Sequence, residues 1–489
     1  MMQVWLLLGW LLSASLADAA TLYVNNSGSP ACSDATAKAS NSAASPWCTI
    51  LRAANGSTTP TSPDTAQAAS AGDIVLITAG TYSESGLTVA QGATRFTVAL
   101  NPANSGTAGN PITFRGVGTV EIRLNLNVRG AMIGCSTRDY IIWDHFTVNE
   151  FYGGGLSDTA GPVGFFANSN FCQLINSTVL GATTSYFHGY TPYVDDNHRT
   201  VAFEDANDIT VKNNNISRVT EGDGDQGQNE GCVGPMYDSS RNIIEHNEIH
   251  DCGVGIFVKG VHAPEVQEHN IIRYNYIHDC YIGIRTIGAD DTLIYQNIIA
   301  NGKTGESTGL WIGFSTAARS KFINNTIYNT YRNITIQGMD LVDIELHNNL
   351  IASATMYGIE HFGSGASVGD LDVSYTRNWY YNNPTHFSSQ GFGSVNFATW
   401  QGTHSKDVDG VNGTDPSFTN AAGGNFHIAN ATALVTGRVV ESVGGTNGAT
   451  IPVGAYISGT ETIGIETATS TGGAVISGGS RFTGSVRIQ

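Results

Sequence analysis

The stretch that decides the fold runs from Asn247 to Gly288 and reads NEIHDCGVGIFVKGVHAPEVQEHNIIRYNYIHDCYIGIRTIG. It contains two similar copies of one pattern, because NEIHDC returns as NYIHDC and GIFVKG returns as GIRTIG. Each copy carries an Asn-x-aliphatic signature that recurs through the centre of the chain, at Asn214, Asn247, Asn275, Asn297, Asn325 and Asn348. The spacings are 33, 28, 22, 28 and 23 residues, so the repeat has a minimum length near 22 and tolerates insertions.

A repeat of this length is typical of a parallel β-helix, in which each turn holds about three short strands and insertions become loops. Successive turns stack ~4.8 Å apart, with aliphatic side chains inside and with Asn amides bonded along one bend. We therefore predict an all-β fold, a single-stranded right-handed parallel β-helix with an N-terminal cap. It forms one domain over residues 21–456.

A second column of residues sets the register of the predicted strands. Matching strands open at Gly255-Ile256, Gly283-Ile284, Gly309-Leu310, Asn333-Ile334 and Gly358-Ile359. Because side chains alternate along a strand, the second residue of each pair points inward and the third points outward. The two outward columns then read Phe257, Arg285, Trp311, Thr335, Glu360 and Lys259, Ile287, Gly313, Gln337, Phe362. We expect these outward side chains to face solvent.

The composition and the two ends of the chain indicate an exported protein. A net charge of −18 with 23 Lys and Arg residues argues against nucleic acid or an anionic membrane as partner. The apolar run Val4–Leu12, followed by Ala17-Asp18-Ala19, predicts a signal peptide over residues 1–20. Nine apolar residues are too few to span a bilayer. We expect a secreted monomer, extracellular or periplasmic, with residues 457–489 as a Gly/Thr/Ser-rich C-terminal cap or tail.

Seven cysteines are compatible with an oxidising compartment. Cys32 and Cys48 flank a polar loop, and their disulfide would stabilise the fold by roughly 3 kcal/mol on a chain-entropy basis. Cys252 and Cys280 occupy matching places in adjacent repeats, where they either pair or stack as buried thiols. The sequence assigns no partner to Cys135, Cys172 and Cys232.

Lys259 and Arg285 are the candidate catalytic residues. They lie one turn apart and two residues out of column, which places their Cα atoms roughly 8 Å apart on one face. Two long cations with converging head groups can hold a carboxylate and take up a proton nearby. The alternative is that both are solvated surface cations.

An acidic insertion precedes this region. The segment TEGDGDQGQNEG, from Thr220 to Gly231, contains four carboxylates among glycines, namely Glu221, Asp223, Asp225 and Glu230. Alternating acids of this kind can supply oxygen ligands to Ca²⁺. A solvated acidic loop without a metal is the alternative.

The ends of the chain resemble those of secreted right-handed parallel β-helix proteins. The N-terminal similarity rests on LYVNNSGS, CTILRAAN, AGDIVLITAGTYSE and GTAGNPITFRG, all between Leu22 and Gly116. It implies that the residues around Thr49–Asn55 form a helix that caps the open end of the core. Near the other end, DPSFTNAAGGNFHI (Asp415–Ile428) and PVGAY (Pro452–Tyr456) resemble the closing coils of the same proteins.

A Lys in one turn and an Arg in the next, beside acidic residues, resembles the β-helix polysaccharide lyases of the chondroitinase B, alginate lyase and pectate lyase groups. The resemblance implies that Lys259 is the base and that Arg285 is the acid or the carboxylate clamp. It also implies that the four carboxylates of the acidic segment bind Ca²⁺. His262, one of five histidines between His246 and His278, and Trp311 are candidate substrate contacts. This chain lacks the Glu residues that precede the Lys in the Lys–Arg group.

The predicted function is therefore cleavage of an acidic, uronate-containing polysaccharide by β-elimination. Elimination removes the proton α to a carboxylate, and neutralising that carboxylate with Arg or Ca²⁺ acidifies the proton. The G-H-G motif of pectin hydrolases and the GGxGxD repeats of calcium-dependent epimerases are absent from the sequence. The alternative function is a non-catalytic carbohydrate-binding or surface-structural β-helix.

Overall fold

The structure is a computed structural model, and it describes most of the chain. The described residues are 19–84, 97–123, 131–149, 161–181, 199–217, 231–260, 267–303, 305–313, 317–338, 341–362, 372–389, 393–438, 450–456 and 463–465. The predicted signal peptide lies almost entirely outside this range, and so do most of residues 457–489.

The chain forms a single-stranded right-handed parallel β-helix, as predicted, with three walls of stacked parallel strands. Sheet I consists of β3 (Val98–Leu100), β5 (Ala131–Ser136), β8 (Gly161–Asn170), β11 (Arg199–Asn207), β14 (Gly231–Met236), β17 (Val254–Lys259), β21 (Ile282–Ile287), β25 (Thr308–Gly313), β29 (Arg332–Gln337), β33 (Tyr357–Phe362), β36 (Thr385–Ser389) and the antiparallel β37 (Gly393–Val395).

Sheets II and III are built from shorter strands. Sheet II contains β6 (Ile141–Asp144), β9 (Gln173–Ile175), β12 (Thr210–Lys212), β15 (Ile243–Glu245), β19 (Ile271–Arg273), β23 (Leu293–Tyr295), β27 (Lys321–Ile323), β31 (Ile344–His347) and β34 (Val373–Thr376). Sheet III contains β7 (Thr147–Val148), β10 (Thr178–Leu180), β13 (Asn215–Ser217), β16 (Glu248–His250), β20 (Tyr276–His278), β24 (Ile298–Ala300), β28 (Thr326–Tyr328), β32 (Leu350–Ala352), β35 (Trp379–Tyr381) and β38 (Val411–Asn412).

The remaining elements lie at the ends and corners of the solenoid. The first turns are formed by β1 (Thr21–Val24), β2 (Ile74–Tyr82) and β4 (Ile112–Ile122), and β4 pairs with both β6 and β7. The corner pairs are β18 (Gln267–Glu268) with β22 (Ala289–Asp290) and β26 (Ala317–Ala318) with β30 (Leu341–Val342). The C-terminal part adds β39 (Phe418–Asn420), β40 (Asn425–Ile428), β41 (Gly437–Arg438) and β42 (Thr450–Ile451). The α-helices are α1 (Ile50–Asn55), α2 (Phe397–Gly402) and α3 (Ala433–Thr436).

The predicted asparagine column forms a ladder of hydrogen bonds at the bend between sheets II and III. The side-chain amide of each Asn donates to the amide oxygen of the Asn one turn further on, at 3.0 to 3.1 Å, through Asn214, Asn247, Asn275, Asn297, Asn325, Asn349 and Asn378. The prediction of Asn348 as a member is wrong by one residue. The strand register pairs Ile327 with Ile351, so the rung belongs to Asn349.

The ladder ends on a carboxylate. The side-chain amide of Asn378 donates to Asp407 at 2.9 Å, and the Tyr380 hydroxyl donates to the same carboxylate at 2.8 Å. Burial, opposed by these two donors, raises the pKa of Asp407 to about 6. A carboxylate accepts hydrogen bonds without needing to donate, so it is a suitable terminus for a chain of amide donors.

Helices close both ends of the core. At the N-terminal end, all six residues of α1 are buried, and the Thr49 side chain caps the helix by accepting from the Arg52 amide at 3.1 Å. This confirms the capping helix. At the C-terminal end, α2 places the fully buried Trp400 against Phe387, with stacked rings 3.9 Å apart.

The C-terminal segments predicted as closing coils instead fold back over the outside of sheet III. Asn324 donates to the carbonyl oxygens of Pro452 and Gly454 at 3.1 and 3.2 Å, and the amide of Ala455 donates to Thr326 at 3.0 Å. The β39–β40 hairpin is antiparallel, so it does not continue the parallel coils.

Three disulfides join six of the seven cysteines. Cys32 pairs with Cys48, as predicted, and Cys135 pairs with Cys172. The suggested pairing of Cys252 with Cys280 is wrong, because Cys252 bonds to Cys232 of the preceding turn and Cys280 is a buried free thiol. Disulfides of this number are typical of extracellular and periplasmic proteins. Within the described residues, no helix has both the length and the apolar character needed to cross a membrane.

Candidate functional site

The candidate site is the outer face of sheet I, where the predicted columns are confirmed. The strand register pairs Phe257 with Arg285, Arg285 with Trp311, Trp311 with Thr335, and Thr335 with Glu360. The inward residues of the same strands, such as Ile256, Ile284 and Leu310, belong to the hydrophobic core. Glycine opens these strands because a Cβ at Gly255 would lie 2.6 Å from the carbonyl oxygen of Gly283 in the next turn.

Three cations surround one aromatic ring on this face. The head groups of Arg199, Lys259 and Arg285 lie 4.8, 5.5 and 5.1 Å from the centre of the Phe257 ring. Arg285 is also 4.5 Å from the ring centre of Trp311. Aromatic faces attract cations at these distances, so Phe257 allows three like charges to share a small area. We call Arg199, Phe257, Lys259, Arg285 and Trp311 the cationic cluster.

Glycines make room for the first of these cations. A Cβ at Gly234 would lie 2.5 Å from Cδ and from Nε of Arg199, and a Cβ at Gly231 would lie 2.9 Å from Cδ. The Arg199 side chain therefore lies flat across the β14 strand and reaches Phe257 in β17. Any larger residue at either position would displace the guanidinium.

The expectation that the outward residues face solvent is wrong for the cationic cluster. Lys259 is 9% exposed, Arg285 is 5% exposed and Arg199 is 1% exposed, while Phe257 is fully buried. Only Trp311 is partly exposed. Lys259 and Arg285 thus lie on one wall, as predicted, but they also share one ring, in a site of low solvent access.

The outer face of sheet I changes sign toward the C-terminal end. Arg332 contacts the Glu360 carboxylate and lies 3.0 Å from Glu306. Burial lowers and the two carboxylates raise the pKa of Arg332, with a net increase. The indole N–H of Trp311 donates to the Gln337 side chain at 2.9 Å. This part of the face therefore offers one more carboxylate than it has guanidinium groups.

The other predicted site residues lie outside the described residues. They are the substrate-contact candidate His262 and the calcium-ligand candidates Glu221, Asp223, Asp225 and Glu230. Among the described residues there is no cluster of three or more His, Cys, Asp or Glu side chains suited to a metal ion.

Sequence reasoning missed Arg199 and Phe257 as parts of the site. Arg199 pairs with Gly231 at the start of neighbouring strands, and a long insertion separates the two in sequence. Extending the outward columns two turns toward the N-terminus would have placed Arg199 beside the glycines of GCVGPM. Phe257 was placed in the outward column, but no pattern showed that cations gather around it.

A family match covers a quarter of the chain. Residues 191–309 match the family described as "Periplasmic copper-binding protein (NosD)". No curated protein matches the chain.

Several solved structures share the fold. The pectate lyase Pel9A is 12% identical, with a TM-score of 0.45, over 90% of this chain and 96% of that one. A polysaccharide lyase of family PL6 from Pseudopedobacter saltans is 12% identical, with a TM-score of 0.41, over 81% and 95% of the two chains. A GH136 lacto-N-biosidase from Eubacterium ramulus is 11% identical, with a TM-score of 0.47, over 76% and 67%. Each is a similarity of fold alone.

Proposed function

We propose that this protein is a polysaccharide lyase that cleaves an acidic, uronate-containing glycan by β-elimination at the outer face of sheet I. The observation that carries the proposal is the cationic cluster, in which Lys259 and Arg285 approach the same Phe257 ring at 5.5 and 5.1 Å. An amine and a guanidinium held this close together can act on neighbouring atoms of one sugar. Trp311 beside Arg285 adds a partly exposed aromatic surface.

The two cations have different roles in the proposed reaction. Arg285 binds the uronate carboxylate, because the planar guanidinium matches a carboxylate with two parallel hydrogen bonds. The amine of Lys259 accepts the proton on the carbon next to that carboxylate. The electron pair of the broken C–H bond forms a carbon–carbon double bond as the glycosidic C–O bond breaks. The leaving oxygen takes up the proton that Lys259 accepted, so the amine is regenerated and no water is consumed.

Arg199 is the third cation and has a supporting role. Its guanidinium packs on the same ring as the other two, so it adds positive charge without occupying the place of the substrate carboxylate. Positive charge in a site of low solvent access is screened less than at the surface. An acidic glycan would thereby be attracted to this face although the net charge of the chain is −18.

Calcium is part of the proposal through the acidic segment that precedes β14. Glu221, Asp223, Asp225 and Glu230 would supply oxygen ligands, and a bound Ca²⁺ would further neutralise a carboxylate on the substrate. Titration calorimetry with CaCl₂ tests this directly. Asp223→Asn together with Asp225→Asn should abolish a binding heat that the unaltered protein shows, and absence of any heat in the unaltered protein would contradict the assignment.

A non-catalytic role is the second candidate, and the burial of the two cations favours it. Lys259 and Arg285 are 9% and 5% exposed, so a glycan can reach their head groups only if neighbouring side chains move. In that case the cations stabilise the packing around Phe257, and the protein binds carbohydrate elsewhere on the solenoid or has a structural role at the surface.

The deciding experiment measures the ultraviolet absorbance of the new double bond with pectate, alginate and glycosaminoglycans as substrates. Lys259→Ala should abolish turnover, and Arg285→Lys should raise KM because the paired hydrogen bonds to the carboxylate are lost. The matched controls are Lys321→Ala and Arg241→Lys, whose side chains form ion pairs away from sheet I with Glu345 at 2.9 Å and Asp208 at 2.8 Å. Both controls should keep full activity.

Circular dichroism and melting temperature show whether each variant is folded. Glycan binding without any new double bond would support the non-catalytic role. Full activity in a folded Lys259→Ala variant would exclude Lys259 as the base.

A further inference from the structure

One hydroxyl on the outer face of sheet I has no hydrogen-bond partner within the part of the chain that the structure describes. Thr335 follows Trp311 and precedes Glu360 in the outward column, and it is 3% exposed. Among the described residues no group donates to or accepts from its Oγ1 atom, which is itself buried. Buried hydroxyls in native proteins are nearly always satisfied, because leaving one unpaired costs free energy. This exception lies one turn beyond Trp311 and two turns beyond Arg285.

The polar groups around Thr335 are held in fixed positions by neighbours. The Gln337 side chain accepts from the Trp311 indole at 2.9 Å, and Arg332 holds Glu360 on one side and Glu306 on the other. Arg332 also lies 4.8 Å above the ring of Tyr331. An amide, a carboxylate and an indole thus occupy register positions next to a hydroxyl that has no partner among the described residues.

Charge distinguishes this region from the cationic cluster. Arg199, Lys259 and Arg285 are all positive, whereas Glu306, Arg332 and Glu360 together carry one net negative charge. The turns are stacked ~4.8 Å apart, so the change of sign occurs within about three turns. A uronate carboxylate would be attracted at the first region and repelled at the second.

We infer that Trp311, Thr335 and Glu360 form a subsite for an uncharged, hydroxyl-rich sugar residue next to the position of the uronate. Once neighbouring side chains move, the Thr335 hydroxyl, which is 3% exposed, and the Glu360 carboxylate would bond to sugar hydroxyls, and the partly exposed Trp311 would contact the sugar ring. The substrate class is then a heteroglycan in which uronates alternate with neutral or N-acetylated sugars. A polymer of uronates alone would place a carboxylate against Glu360. The inference rests on the proposed function for the position of the uronate.

A second threonine provides a matched control. Thr286 lies in the same sheet, is 1% exposed, and its hydroxyl also has no partner among the described residues. It pairs in register with Val258 and Ile312, which belong to the hydrophobic core, so it points inward and away from any ligand. Valine has nearly the shape of threonine and lacks the hydroxyl. Thr335→Val and Thr286→Val therefore remove the same group on opposite sides of one sheet.

The test combines melting temperature with binding, in a Lys259→Ala background so that no elimination occurs. Binding is measured by calorimetry with oligosaccharides of hyaluronan, unsulfated chondroitin and rhamnogalacturonan, and with oligomers of galacturonate and mannuronate. Both valine variants should raise the melting temperature, because each removes an unsatisfied buried hydroxyl. Only Thr335→Val should weaken binding, by about tenfold, and only for an alternating glycan. Thr335→Ser should restore binding.

The outcomes separate this inference from the proposed function. Elimination by the unaltered protein together with tighter binding of a pure polyuronate would overturn the subsite and leave the lyase intact. Binding that Thr335→Val leaves unchanged for every alternating glycan would do the same. Alternating glycans that bind through Thr335 without being cleaved by the unaltered protein would support the subsite and contradict the lyase. If none of the alternating glycans and none of the pure polyuronates binds, both the subsite and the proposed lyase function are contradicted.

Discussion

The outer faces of sheet I and sheet III are built in the same way but differ in what covers them. Both present the outward side chains of stacked strands. On sheet III, Ile298, Leu350 and Trp379 are covered by the chain itself, since Phe426 and Val453 of the C-terminal segment pack against them. On sheet I, the outward column holds charged and aromatic residues together, and its cations approach aromatic rings.

The difference between the two faces relates the polarity of an outward column to the segment that covers it. Sheet III is largely apolar where the C-terminal segment covers it, with Thr326 bonded to that segment, and it is polar in the preceding turns, where Asn215, Glu248 and His250 stand in the same columns. An apolar outward column therefore indicates a cover supplied by the same chain. A column that combines cations, aromatic rings and an unsatisfied hydroxyl is poorly suited to an apolar cover, and this is the physical reason to place ligand binding on sheet I.

The largest expected effect comes from truncating one tryptophan on each face and comparing the losses in unfolding free energy. Trp379 is fully buried on sheet III and donates to the Thr414 carbonyl oxygen at 2.8 Å, whereas Trp311 is partly exposed on sheet I. Trp379→Ala should lower the free energy of unfolding by about 3–5 kcal/mol, as for other large core truncations. Trp311→Ala should cost about 1–2 kcal/mol from the lost hydrogen bond and cation contact. Urea unfolding measures both, and equal costs would refute the distinction between the two faces.

The pH dependence of stability tests the carboxylate that ends the ladder at the bend between sheets II and III. The pKa of Asp407 is about 6 in the folded chain, above the ordinary value of 3.8. The folded state therefore favours the protonated acid, and its contribution is present below pH 4 and lost as the pH rises through 6. Asp407→Asn removes this contribution. The unfolding free energy of the variant minus that of the unaltered protein should therefore increase by about 2–3 kcal/mol from pH 4 to pH 7.

The contribution of His361 to stability has the opposite pH dependence. Because the unaltered protein and Asp407→Asn both contain His361, this contribution cancels when the unfolding free energies of the two are subtracted. Burial and the nearby Lys406 lower the pKa of His361 to about 3, so its contribution is present above pH 6.5 and lost on acidification. Urea unfolding at a series of pH values gives the difference directly. A difference that does not change with pH would show that Asp407 is ionised equally in both states.

Replacing the ring that the three cations share should have a smaller effect on the free energy of unfolding. Phe257→Leu keeps an apolar side chain of similar size but removes the aromatic face near Arg199, Lys259 and Arg285. It should destabilise the fold by about 2 kcal/mol, through lost cation contacts and uncovered repulsion. Phe203→Leu is the control, because this ring points into the core against Phe165. It should cost less than about 1.5 kcal/mol, and a larger loss in the control would argue against the cation contacts.

The smallest effect is expected on the outer face of sheet II. Lys321 pairs with Glu345 at 2.9 Å, and both side chains are about one third exposed to solvent. Lys321→Ala should change the free energy of unfolding by less than about 0.5 kcal/mol, because exposed ion pairs contribute little. Thermal unfolding at low and high salt measures it. A loss comparable to that of Phe257→Leu would mean that sheet II is not simply a solvated wall.

Much of the fold could be predicted because repetition makes local signals add up. The Asn ladder, the capping helix and the outward column from Phe257 to Glu360 all follow from residues that recur at matched positions. The one error in the ladder comes from the sequence HNNLI, where Asn348 and Asn349 both satisfy the Asn-x-aliphatic signature. Only the pairing of Ile327 with Ile351 in adjacent turns distinguishes them.

The candidate site was less accessible to prediction because it depends on contacts between distant segments. Cys252 has a cysteine one turn before it and another one turn after it, and the chosen partner is Cys232. Arg199 meets Phe257 across two intervening glycines of another strand. The contacts that bury Lys259 and Arg285 have no counterpart in the spacing of the repeat.

The amino-acid sequence by itself determined the solenoid, since side-chain alternation and a repeat near 22 residues leave one way to bury the aliphatic columns. It also determined which side chains leave the core on each wall. Only the tertiary structure decided which outward columns are covered, where the C-terminal segment docks, and how closely three cations approach one ring. The physical reason is that alternation fixes the direction of a side chain, whereas burial and charge depend on whatever part of the chain lies opposite.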